Sequence, residues 1–112
     1  MSKKASNPPP RRSRLSAPLR RDQIVEAALV LAASPGCTWQ SVTRDQIGHV
    51  CGITGQAVMW HFSTMAQLRR SIMRAAVRRE NLAVIAQGLA AGDAQARKAG
   101  QDLRRRALGS LA

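Results

Sequence analysis

The chain has 112 residues, room for one domain with a modest core and little space for a buried catalytic cleft. Lys and Arg number 18 against 6 Asp and Glu, and the resulting formal charge of +12 exceeds what solubility requires, so a polyanionic partner is expected. No apolar run approaches the roughly 20 residues of a membrane-spanning helix, and the N-terminus lacks the apolar core of a signal peptide.

Those two absences favour nucleic acid over a membrane and lead to the expectation of a cytoplasmic, nucleoid-associated protein with no membrane partner. Cys37 and Cys51 are the only cysteines, expected as reduced packing residues. Their spacing from His49 and His61 matches no paired-ligand pattern for zinc. The few acids and two histidines form no Ser-His-Asp set, no paired carboxylates and no glycine-rich phosphate loop. Neither an enzyme, a metal site nor a cofactor is expected.

Residues 1–19 hold four of the five prolines (Pro8, Pro9, Pro10, Pro18), five basic residues and no acid. Such a segment buries too little surface to fold and reads as a disordered basic arm. The DNA-binding domain is expected over 20–63 and a helical extension over 64–112. Ile24, Ala27, Ala28, Leu31 and Ala32 mark one face of a first helix, about 21–34, stopped by Pro35-Gly36. A loop through Cys37, Thr38 and Trp39 follows, where Trp39 reads as core packing or loop anchoring.

The Thr43 hydroxyl can cap a short second helix running to about Cys51. Gly52 suits the left-handed conformation that ends a helix, and Thr54 can cap a third helix through His61. From Thr64 to about Ala91, the series Leu68, Ile72, Ala75 or Ala76, Leu82 and Ile85 predicts one long fourth helix. Its opposite side carries Arg69, Arg70, Arg74, Arg78 and Arg79, and Gly88 and Gly92 weaken and end it. Ala96, Ala99, Leu103, Ala107 and Leu111 fit a short fifth helix. With no β pattern, the fold class is all-α: a three-helix bundle with a helix-turn-helix, then a long fourth and a short fifth helix.

Two short helices joined by a glycine-containing turn are the helix-turn-helix signature. Gly48 permits close approach, and Ile47, Cys51, Ile53, Val58 and Phe62 supply the shared core. Thr54, Gln56, Ala57, Trp60 and His61 are left to face outward, where a recognition helix contacts base edges in the major groove. Gln56 reads either as a bidentate contact to adenine, worth about 1–3 kcal/mol of discrimination, or as a solvated glutamine. Trp60 reads either as a sugar-phosphate contact or as packing against the first helix. Arg69 and Arg70 lie near the start of the fourth helix, where phosphates would approach.

From about Arg20 to Ala76 the chain resembles the DNA-binding domain of the TetR family of repressors. Ile24, Ala27 and Ala28, then Ile47, Gly52-Ile53-Thr54, Val58, His61-Phe62 and Leu68 carry the resemblance. It implies that Arg44, Gln56, Ala57, Trp60 and His61 touch DNA. The chain departs from the family at Met59 and Met65, where a phosphate-binding tyrosine and lysine usually stand. Arg11, Arg12 and Arg14 of the arm are candidates to compensate, in a minor groove or along phosphates. Members of the family usually carry a large ligand-binding domain after this one, whereas 50 residues follow Phe62. No small-molecule inducer is expected.

Leu82, Val84, Ile85, Leu89 and Leu103 would leave an apolar surface that a domain this small can hardly cover alone, so the C-terminal half of the fourth helix, with the fifth, is expected to pair two subunits. The expected function is a sequence-specific transcriptional regulator, a repressor binding an inverted-repeat operator on double-stranded DNA as a homodimer. The alternatives are a non-specific nucleoid-type DNA-binding protein and an accessory factor in plasmid or phage replication or partition.

Overall fold

The structure, a computed structural model, describes residues 16–110. Among them it contains only helices: α1 (Ala17–Ala32), α2 (Arg44–Cys51), α3 (Gly55–His61), α4 (Met65–Arg78), α5 (Leu82–Ala90), α6 (Ala94–Arg97) and α7 (Gln101–Gly109). The all-α expectation therefore holds. No described helix is long and apolar enough to cross a membrane.

Helix α1 begins earlier than the periodicity predicts. Ser16 is its N-cap and Pro18 falls in its first turn, where a missing N–H removes no helical hydrogen bond. Residues 17–19, capped by Ser16, thus belong to the helix rather than to the arm. Ile24, Ala28 and Ala32 are fully buried on its inner side. Arg20 is the single buried charged residue among the described residues, 3 % exposed, and its Nη1 donates to Gln23 Oε1 at 2.6 Å.

The predicted long fourth helix is two helices. Helix α4 stops at Arg78, and Glu80 turns into the left-handed region at φ 54°. Asn81 N–H then donates to Ala76 O at 2.8 Å and Glu80 N–H to Val77 O at 3.2 Å, the paired bonds of a Schellman ending. The Asn81 side chain accepts from Val84 N–H at 3.2 Å and so starts α5 at once. A second ending of the same kind closes α5 at Gly92, φ 74°, with Asp93 N–H on Gly88 O at 2.8 Å. Gly88 itself ends nothing; it is buried within α5 against Met73 and Ala96. The predicted fifth helix is likewise split into α6 and α7, with Gly100 between them as the N-cap of α7.

These breaks fold the extension back on itself. Helix α5 packs on α4, α6 and α7, and α4 packs in turn on α1. Val84 and Ile85 are fully buried, and Leu82, Leu89 and Leu103 are half-buried against the same core. The apolar surface from which a second subunit is expected is covered within the chain. Gln87 fastens the two halves, donating from Nε2 to Ala32 O at 2.8 Å and accepting from Trp39 N–H at 2.9 Å. Trp39 is buried and serves as core. Ion pairs Arg79–Glu26 and Arg106–Glu80 join α4 to α1 and α7 to the end of α4.

Candidate nucleic-acid interface

Helices α2 and α3 are short, so their ends need local anchors. At α2, Thr43 Oγ1 accepts from Gln46 N–H at 3.1 Å while Gln46 Oε1 accepts from Thr43 N–H at 2.9 Å, a reciprocal capping box. Its other end closes through Gly52, φ 75°, with Ile53 N–H on Gly48 O at 2.9 Å. Two residues later Thr54 Oγ1 accepts from Ala57 N–H at 3.0 Å and starts α3. That bond leaves the Thr54 hydroxyl proton free to donate outward, to a phosphate oxygen for example.

Close packing fixes the pair of helices. A Cβ at Gly48 would stand 2.5 Å from Ile53 O, 3.0 Å from Thr54 C and 3.1 Å from Gly55 N, so only glycine lets α2 lie against the turn. Gly55 is buried at the start of α3, beside the Asp45 carboxylate and the Arg44 side chain. Below them Ile47, Val58 and Phe62 are buried, joined by Cys51. Burial raises the Cys51 thiol pKa against the opposing effect of Arg20, and its Sγ lies 3.8 Å from Gln23 O. Among the described residues no three His, Cys, Asp or Glu come together as a metal-holding group.

The outer side of α3 carries Gln56 and Trp60, one helical turn apart and both exposed. Trp60 is 79 % exposed and meets the His61 ring edge-on at 5.1 Å between centroids. Packing of Trp60 against the first helix is thereby ruled out. Ala57 and His61 are half-buried, at the margins of the face. Arg44 is exposed at the first position of α2, its stem against Gly55, and so stands beside the start of α3. Arg69 lies apart from this group, half-buried on α4, with no hydrogen-bond partner for its buried Nε among the described residues. Arg11, Arg12 and Arg14 lie outside the described residues.

Met59 and Met65 pack on the core as half-buried apolar side chains. They offer no donor to a phosphate. The structure adds two residues at the C-terminal end of α3 that pattern alone does not single out. Arg21 donates from Nη1 to the His61 carbonyl and lies 4.5 Å over the Phe62 ring, so α1 grips the last turn of α3 through a cation at its dipole end. Partial burial, then Arg20, then Arg21 lower the His61 pKa, holding the imidazole neutral at pH 7. Arg21 is exposed on α1 and its partner is 40 residues away, so no local pattern marks it.

No family model, curated protein or solved structure matches the chain.

Proposed function

We propose that α2 and α3 form a helix-turn-helix and that the protein is a sequence-specific regulator of transcription, a repressor, which reads double-stranded DNA as a homodimer. One observation carries the reading: α3 buries Gly55, Val58 and, at its end, Phe62, while Gln56 and the 79 % exposed Trp60 project together from its free side, in a chain of charge +12. An exposed tryptophan beside an amide on a rigidly seated short helix suits a groove, where the ring covers sugar or base methyl groups and the amide reads an adenine edge. Arg44 and the Thr54 hydroxyl stand where the backbone would run past the start of α3.

The contacts of one α3 through Gln56 and Trp60, at about 1–3 kcal/mol each, reach at most the lower half of the roughly 4–10 kcal/mol that separates specific from random sites. Two copies on an inverted repeat double the reading. Selection of binding sequences from a randomised duplex pool, followed by footprinting, tests this. The expected result is a twofold-related sequence with half-sites about one helical turn apart and a protein that sediments as a dimer on it. A pool that returns no enriched sequence favours the second reading, a non-specific nucleoid-type protein, which the +12 charge alone could sustain.

A further inference from the structure

Between α1 and α4 runs a cleft of about 130 Å³ that the DNA-contacting residues above do not use. Its lining includes four arginines, Arg21, Arg74, Arg78 and Arg79, against one acid, Asp22, all of them exposed. Two of the four cations are already engaged. Arg79 is paired with Glu26, and Arg21 is held by the His61 carbonyl and the Phe62 ring. Arg74 and Arg78 have no ion pair among the described residues, nor does Asp22 approach any guanidinium closely enough to form one.

Arg74 and Arg78 are one helical turn apart, a spacing at which like charges repel. Ser71 adds a hydroxyl to the same face of α4. The floor is apolar, formed by the buried Val25 and Phe62, and a low-dielectric wall strengthens both the repulsion among the cations and their attraction for an anion. Arg21 spends only Nη1 on the His61 carbonyl, so donors from two helices line the cleft, and they suit a tetrahedral oxyanion with three oxygens to share better than a planar carboxylate with two.

We infer that this cleft is a phosphoryl-anion site in which Arg74 and Arg78 on α4 and Arg21 on α1 grip the phosphate oxygens. Arg21 links the cleft to the C-terminal end of α3, so a phosphodiester of bound DNA is one source of the group and a free phosphorylated small molecule the other. Only the first source rests on the reading of α3 as a DNA-contacting helix.

The full chain, titrated with inorganic pyrophosphate against sodium chloride of equal ionic strength, tests the site without DNA. The wild type should bind one pyrophosphate per chain and gain about 5 °C in Tm. The exposed double variant Arg74→Gln/Arg78→Gln should fold with a Tm in chloride at or above the wild type, and lose roughly tenfold or more in pyrophosphate affinity. Arg97→Gln/Lys98→Gln on α6 removes the same charge elsewhere and should bind as the wild type does. General salt stabilisation raises all three Tm values alike. An equal response of the wild type and the α4 variant, or no binding by either, overturns the inference, as does an equal loss in the α6 variant. With binding established, a DNA salt slope shallower by roughly one to two in the α4 variant assigns the group to the DNA backbone. An unchanged slope assigns it to a free phosphorylated molecule.

Discussion

Gly48→Ala puts one methyl group where the α2–α3 packing has no room. In an open helix, alanine for glycine gains roughly 0.5–1 kcal/mol. At Gly48 the new Cβ would stand 2.5 Å from Ile53 O, 3.0 Å from Thr54 C and 3.1 Å from Gly55 N, all of them backbone atoms. No side chain can swing aside, so the turn itself must shift, and overpacking of this kind costs about 1–3 kcal/mol. The net expectation is a loss of roughly 1–2 kcal/mol, or about 5–10 °C in Tm. Gly109→Ala in α7 is the control, because nothing lies within 4 Å of its Cβ position. It should be neutral or slightly stabilising. Urea denaturation followed by far-UV circular dichroism measures both. A Gly48→Ala protein as stable as the wild type would refute the claim that this contact sets the angle between the two helices.

Trp60→Ala should leave stability within about 0.5 kcal/mol, since the ring is 79 % exposed, yet reduce DNA affinity at least tenfold in a fluorescence anisotropy titration. Val58→Ala, from the buried side of the same helix, should instead lower stability by about 1–3 kcal/mol. Glu80→Gly should be more stable than Glu80→Ala by roughly 1 kcal/mol, because both lose the Arg106 pair and only glycine relieves the left-handed backbone at φ 54°. For His61 the folded pKa is lowered from 6.5, so below pH 6.5 the unfolded chain takes up a proton that the folded chain refuses. Stability should therefore fall as pH drops from 6.5 toward the lowered folded value, and His61→Phe should flatten that part of a Tm-against-pH profile.

Helix ends written in side-chain chemistry are legible in the sequence. Thr43 and Thr54 cap the helices they precede, and Gly52 takes the left-handed conformation its type suggests. The buried set Ile47, Val58 and Phe62 follows from helical periodicity in the same way. The break at Glu80 does not, because a glutamate in that conformation carries no compositional signal, and Asn81, which caps α5, stands alone among residues that otherwise continue the helical period. That one break decides more than a boundary. On a straight helix Leu82, Val84 and Ile85 would run on past the small domain and call for a partner; after the turn at Glu80 they pack with α4, α6 and α7. The start of α1 was within reach, since Ser16 followed by a first-turn proline is a helix-start pattern, but a proline-rich neighbourhood masks it.

At the candidate site the split is similar. The exposure of Gln56 and Trp60 follows from the period of α3, whereas the roles of Arg20 and Arg21 depend on contacts made across the fold. Arg20 is buried against the general tendency of arginine, and Arg21 reaches a carbonyl 40 residues away. Arg74 and Arg78 stand on the side of the fourth helix away from its apolar series, and only the fold brings α1 beside them.

Competition binding at physiological salt tests the central claim most directly. A labelled duplex bearing the selected inverted repeat is held by the full chain while unlabelled random duplex is added in excess. A sequence-specific regulator should need roughly a thousandfold or more random DNA than specific DNA for equal displacement. Equal displacement by the two, with affinity following only the salt concentration, would contradict the account.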